Sequence, residues 1–184
     1  MKRSTHPNTL ALEVEERDHI QGPTNAPVTL VEYGDYQCPY CGEAYYIIKD
    51  VQRQFGDNLR FVFRNFPLAT IHPYAEPAAE AAEAAGAQGK FWEMHDYLYE
   101  HQSELGPEQL IVAGETLRLD LRKYTEDLIR HAYAERIRED FLSGVHSGVS
   151  GTPTFFINGV RHDGSYDFDT LVQAINGHLK QRAA

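Results

Sequence analysis

From Val28 to Cys41 the chain reads VTLVEYGDYQCPYC. Val28 to Tyr33 is a continuous β-prone run, the pattern of a strand buried on both faces in the middle of a sheet. Gly34 to Gln37 turns the chain, and Pro39 falls where the first residue of a helix tolerates proline. Beyond it Ala44, Ile47, Ile48, Val51 and Phe55 recur at helical spacing, and Gly56 ends the run. Leu59 to Phe63 reads as a second strand, closed by Asn65 to Pro67. Strand, helix and strand with short links make a βαβ unit, so these two strands should be parallel. Cys38 and Cys41, the only cysteines, therefore lie at a strand-to-helix junction.

That location suits sulfur chemistry. The thiolate, not the thiol, attacks a disulfide, and a thiol of pKa about 8.5 is only about 3% ionised at pH 7. The first turn of a helix has unpaired N–H groups and a partial positive charge. If these lower the pKa of Cys38 to about 6, ionisation rises to roughly 90%. The spacing puts both sulfurs on one helical turn. Cys38 is the candidate nucleophile, and Cys41, within the helix and less exposed, is the candidate resolver of the mixed disulfide. Pro39 limits backbone freedom and Tyr40 tunes the potential. A zinc site would need two more ligands. Only His95 and His101 have finger-like spacing, roughly 50 residues beyond Cys41 against about 12–15 in a compact finger. An inert structural pair is the other alternative.

Glu32 stands in the apolar run where another aliphatic residue is expected. A buried carboxylate is costly and its pKa rises. Glu32 is then either a proton acceptor for Cys41, directly or through water, or a surface-side partner of Arg60 or Arg64.

Outward from this segment, Thr9 to Val14 alternates weakly and suggests a short edge strand, and Gln21 to Pro27 reads as a loop. Between Pro73 and about Val145 the strand signal disappears. Ala78 to Ala87 is a small-residue helix that packs tightly without chemistry. Phe91, Trp92, Met94, His95, Leu98 and Tyr99 form an aromatic helical face, and Pro107 opens a helix to about Thr116. Ile129, Tyr133, Ile137, Phe141 and Val145 make the stripe of one long last helix. Thr154 to Ile157 is a strand, Asn158-Gly159 a hairpin turn, and Val160 to Asp163 the return strand. Asp167 caps a final helix carrying Phe168, Leu171, Val172, Ile175 and Leu179. The expected division is an N-terminal extension at 1–21, the halves of an α/β domain at 22–66 and 146–184, and a helical insertion at 67–145. His72 is expected as a turn residue before Pro73, with a place near the cysteines as the alternative. The Phe91, Trp92, Tyr97 and Tyr99 cluster is expected to pack within the insertion rather than bind substrate. Glu13 to Asp18 is expected as a solvated acidic face.

The 184 residues carry a net charge of −10, which argues against sequence-independent nucleic-acid binding. Mean hydropathy is −0.49, and no apolar run approaches the roughly 20 residues of a membrane span, so no membrane insertion is expected. Two cysteines are too few for a stapled secreted scaffold. Met1 to Ile20 lacks an apolar core of signal-peptide length, which favours a cytoplasmic location, with a periplasmic or extracellular one as the alternative had a leader been removed.

The strand before Cys38-Pro39-Tyr40-Cys41, the helical middle, and Gly151-Thr152-Pro153-Thr154 ahead of Phe155-Phe156-Ile157 together resemble the thioredoxin superfamily. The chain is most similar to the DsbA-like branch, a thioredoxin-like α/β fold interrupted by a helical domain. The resemblance covers nearly everything from Gly22 to Leu179. It implies that Pro153 is a cis-proline beside the active-site disulfide and that Thr152 offers its backbone to an extended substrate. It implies that Glu32 occupies a buried acidic position and relays protons. It also implies dithiol–disulfide exchange on protein or peptide substrates, with the Cys38–Cys41 disulfide as the only redox group and no metal or nucleotide. The redox partner would be a thioredoxin- or glutathione-type system, or a membrane quinone-linked protein if the chain is exported. Strongly oxidising periplasmic members carry a histidine between the cysteines. Tyr40 stands there instead, so a less oxidising couple is expected, about 30 mV corresponding to about 1.4 kcal/mol. Glutathione-linked chemistry on the same fold and a redox-silent, chaperone-like peptide-binding module are the other readings.

Overall fold

The structure, a computed structural model, describes residues 8–183. Five strands form one mixed sheet in the order β1-β3-β2-β4-β5. They are β1 (His19–Gln21), β2 (Val28–Gly34), β3 (Leu59–Asn65), β4 (Thr154–Ile157) and β5 (Val160–Arg161). β2 and β3 are parallel, with Glu32 opposite Phe63. The crossover between them is α1 (Pro39–Phe55), ended by Gly56 at φ 47 and a short 3-10 turn. β4 lies antiparallel on the other side of β2, with Glu32 opposite Phe155. Glu32 is thus on the central strand.

Alternation along the strands sends two residue sets to opposite faces. Val28, Leu30, Leu59, Phe61 and Phe63 join the main core with α1. Val31, Tyr33, Val62 and Phe156 form a smaller cluster on the other face, flanked by Leu10, Val14 and Ile20. Glu32 shares the parity of Leu30, so it points to the α1 side. The insertion supplies α2 (Ala75–Gly86), α3 (Phe91–Glu100), α4 (Pro107–Thr116), α5 (Leu121–Ile129) and α6 (Ala134–His146), and α7 (Phe168–Ala183) closes the fold. Asp167 caps α7 by accepting from Thr170 N at 3.0 Å.

Several expectations need correction. Residues 9–14 form no strand. Thr9 makes a single antiparallel bridge to Val160, and the edge strand is β1, which takes Gln21 out of the expected loop. The return strand stops at Arg161. The single long helix is two. His131 adopts φ 50 between α5 and α6, and Ala132 N bonds back to Asp127 O at 2.9 Å, closing α5. The helical-looking stripe runs across this break, leaving Ile129 74% exposed. The N-terminus of α5 carries the cap that the stripe hid: Asp120 accepts from Lys123 N.

The acidic stretch is not wholly solvated. Asp18 is buried and receives Arg64 Nε at 2.8 Å and Nη2 at 2.9 Å. Arg64 also donates to Leu12 O, Glu13 O and Tyr33 Oη, each at 3.0 Å. All five guanidinium N–H groups are thereby used, and they clamp residues 12–18 across the face opposite α1. The aromatic cluster packs partly against the sheet: Phe91 and Trp92 meet Phe63 and Phe61. Among the described residues no helix is long and apolar enough to cross a membrane.

Candidate active site

β2 ends in the turn that delivers Cys38 to the head of α1. Cys38 is the residue before the helix, at φ −70 and ψ 120, with Pro39 in the first turn. Its carbonyl receives Cys41 N at 3.0 Å and Gly42 N at 3.1 Å. Both cysteines are free thiols. Cys38 retains 3% of its surface, less than a solvent-facing nucleophile would show. Around it Pro39 and Tyr40 are exposed, and Gly151, Thr152 and Pro153 are partly buried. Tyr40 is 61% exposed.

The Thr152–Pro153 peptide is cis. Cys38 Sγ lies 3.4 Å from Thr152 O, close enough for the thiol to donate weakly. This brings a loop 114 residues distant in sequence against the helix tip. The Thr152 hydroxyl is buried and has no hydrogen-bond partner, so it is available to the sulfur.

The electrostatics separate the two thiols. The Cys38 pKa is lowered to about 5. The largest cause is the Cys41 thiol donating to the Cys38 sulfur. Burial opposes it, and the Thr152 hydroxyl and the backbone N–H groups of Cys41 and Tyr40 add to it. The helix tip contributes as its N–H groups predict, but the neighbouring thiol contributes most. Cys41 is fully buried and its pKa rises well above the ordinary thiol value, first from burial, then from its bond to Cys38 and the charge of Glu32.

Glu32 is 2% exposed, and its Oε1 has no hydrogen-bond partner. Burial, then the charge of Cys38, raises its pKa to about 8. Arg60 is engaged with Thr29 and Thr24, and Arg64 with Asp18, so neither pairs with Glu32. A polar void of about 10 Å³ touches Glu32, His95, Tyr99, Lys49 and Asp96. That is close to one water.

The structure brings to the site several residues that the sequence reading did not place there first. Asp35 is buried and accepts from Gln37 N at 2.7 Å, Leu68 N at 2.9 Å and His72 Nδ1 at 2.7 Å. His72 is therefore more than a turn residue. Tyr36 Oη meets His95 Nδ1 at 3.1 Å inside an aromatic box, where burial holds the imidazole well below its usual pKa. Gln102, from the loop after α3, donates to Tyr36 O and Cys38 O. An aspartate in a tight turn is a recognisable Asx-turn signal; Gln102 had none.

Comparison with known proteins agrees with this architecture. The thioredoxin family model matches residues 14–177. BdbD from Bacillus subtilis superposes with a TM-score of 0.79 at 26% identity, covering 88% of this chain and 92% of that one. Alpha-DsbA1 from Wolbachia pipientis shares the fold at a TM-score of 0.81 and 18% identity, covering 92% and 94%. A protein of Salinispora arenicola named Na(+)/H(+) antiporter NhaA 1 is 53% identical over 160 residues, 87% of this chain but 24% of that protein. The chain spans about a quarter of the length of the curated relatives it matches. With the family matched over most of its length and the interrupted sheet in place, the chain belongs to the thioredoxin superfamily and has the DsbA-like form of its fold.

Proposed function

We propose that this chain exchanges a Cys38–Cys41 dithiol with the disulfides of protein or peptide substrates, in either direction. In the reducing direction the Cys38 thiolate attacks one substrate sulfur. A mixed disulfide forms, the substrate S–S bond breaks, and its second sulfur leaves as a thiolate that takes a proton from solvent. Cys41 then attacks Cys38 Sγ, giving its proton to Glu32 and releasing the other substrate sulfur. The substrate gains two electrons and the chain becomes a disulfide.

The order of events follows from charge. While Cys38 is a thiolate it opposes ionisation of both Glu32 and Cys41. The mixed disulfide removes that charge, so Glu32 can ionise and accept the Cys41 proton at that point. Pro39, Tyr40, Thr152 and Pro153 border the sulfur, and Thr152 offers backbone groups to an extended substrate. The observation that carries this reading is a thiol at a helix tip, lowered to about 5 beside a buried partner thiol. Insulin-disulfide reduction tests it: wild type should turn over and Cys38→Ser should not, and equal rates would remove the proposal.

A second reading comes from the relatives. Their matched quarter belongs to proteins named as Na(+)/H(+) antiporters. In that reading the pair exchanges with cysteines of a transporter beside it rather than with soluble substrates. Cys41→Ser, which cannot resolve, should retain the substrate as a mixed disulfide. Antiporter chains in that adduct would favour the second reading, and soluble proteins the first. The reduction potential separates the directions: near about −270 mV suits a cytoplasmic reductant, near about −120 mV an exported oxidant.

A further inference from the structure

The nucleophile and the three residues before it are each held by the inserted helical region. Asp35 receives Leu68 N and His72 Nδ1. Tyr36 Oη meets His95, and its carbonyl receives Gln102. Gln37 Oε1 receives Tyr74 N at 2.6 Å. The Cys38 carbonyl receives Gln102 Nε2 at 2.7 Å. The sheet positions β2, but the insertion positions the turn beyond it.

Gln102 is the contact that reaches the nucleophile itself. One Nε2 group donates to two carbonyls, Tyr36 O at 2.9 Å and Cys38 O at 2.7 Å, using both of its N–H bonds. The opposite side of the carboxamide rests on Gly42. A Cβ built on Gly42 would strike Gln102 Oε1 and lie 3.0 Å from Cδ. A glycine in the first turns of a helix ordinarily costs about 0.5–1 kcal/mol relative to alanine. Here its bare backbone is what lets the carboxamide seat against the turn that carries Cys38.

We propose that Gln102 is a positioning residue for Cys38: seated on Gly42, its carboxamide fixes the Tyr36 and Cys38 carbonyls and so couples the helical insertion to the reacting sulfur. This rests on the dithiol reading above and extends it to regulation of that site. The effect should differ between redox states. In the disulfide the covalent bond already fixes Cys38 relative to Cys41. In the dithiol, the thiolate depends on the placement of the Tyr40 and Cys41 N–H groups and of the Cys41 thiol, which the Gln102 brace preserves. Losing the brace should therefore weaken the reduced form more than the oxidised one.

The test uses Gly42→Ala, Gln102→Ala and the double variant. The equilibrium is dithiol plus glutathione disulfide giving protein disulfide plus two glutathione thiols. Gly42→Ala should keep or raise the melting temperature, since a flexible side-chain end is all it displaces. It should also raise the pH midpoint of the Cys38 thiolate absorbance at 240 nm and shift the equilibrium toward protein disulfide by about threefold or more, the scale of one or two hydrogen bonds. Gln102→Ala should do the same, and the double variant should add little to either. Unchanged thiolate titration and glutathione equilibrium in folded Gly42→Ala would overturn the coupling, as would full additivity in the double variant. Should Gln102→Ala fail to fold, Gly42→Ala alone decides. Failure here would leave Cys38-dependent insulin turnover intact, so it is distinct from failure of the dithiol reading.

Discussion

Replacing Glu32 by leucine should stabilise the protein, and should do so more as the pH rises. Glu32 lies between Phe63 and Phe155 on the central strand, with one carboxylate oxygen unpartnered. Its pKa is about 8 when folded, against an ordinary value of 4.5. The folded chain therefore holds a proton that the unfolded chain releases between these values, and stability falls as pH rises through that window. Below 4.5 the penalty vanishes; above 8 it has reached its full size. Each pH unit between weighs about 1.4 kcal/mol, so the penalty is about 2 kcal/mol at pH 6 and about 4.5 kcal/mol at pH 8.5. Glu32→Leu removes it. Its stability gain over wild type should grow by about 2.5 kcal/mol between those pH values, or about 5–10 °C in melting temperature at this chain length. Urea unfolding of the reduced proteins at both pH values measures it. The disulfide form, without the Cys38 charge, should keep the larger part, because burial is the leading cause. A gain equal at pH 6 and pH 8.5 would refute a buried, elevated carboxyl. The same variant should slow the resolving step, since it removes the proton acceptor proposed for Cys41.

Thr152→Val removes the buried hydroxyl that helps stabilise the Cys38 thiolate. The 240 nm midpoint should rise by about one pH unit, the scale of one charge-assisted hydrogen bond; an unmoved midpoint contradicts that role. Arg64→Met strands a buried Asp18 carboxylate and leaves the Leu12 and Glu13 carbonyls without their donor. Urea unfolding at pH 7 should show a loss of about 3–5 kcal/mol, whereas a loss under about 1 kcal/mol would mean the clamp is dispensable.

What the sequence disclosed is what depends on near neighbours. The Cys38–Cys41 junction, the Asp167 cap and the Asn158–Gly159 turn each rest on residues within four positions of one another, and the structure has them where local chemistry put them. Asn158 and Gly159 both have positive φ, as a tight hairpin requires. What it concealed depends on partners far along the chain. Asp18 is part of an acidic run until Arg64, 46 residues later, is seen to use it. Gln102 is one polar loop residue until it is found 64 residues from Cys38 and bonded to it. The split between α5 and α6 was hidden for a different reason. Apolar residues four apart persist through 129–133, but the backbone at His131 leaves the helical region, and periodicity does not record φ. Glu32 was visible as an oddity, yet its two alternatives parted only when Arg60 and Arg64 were seen to be engaged elsewhere.

The pH dependence of alkylation by iodoacetamide, with the labelled cysteine located by mass spectrometry, bears most directly on the chemistry. In the reduced protein Cys38 should be modified with a midpoint near 5 while Cys41 stays unlabelled. A midpoint near the ordinary thiol value of about 8.5, or labelling of Cys41 ahead of Cys38, would contradict a thiolate stabilised at the head of α1.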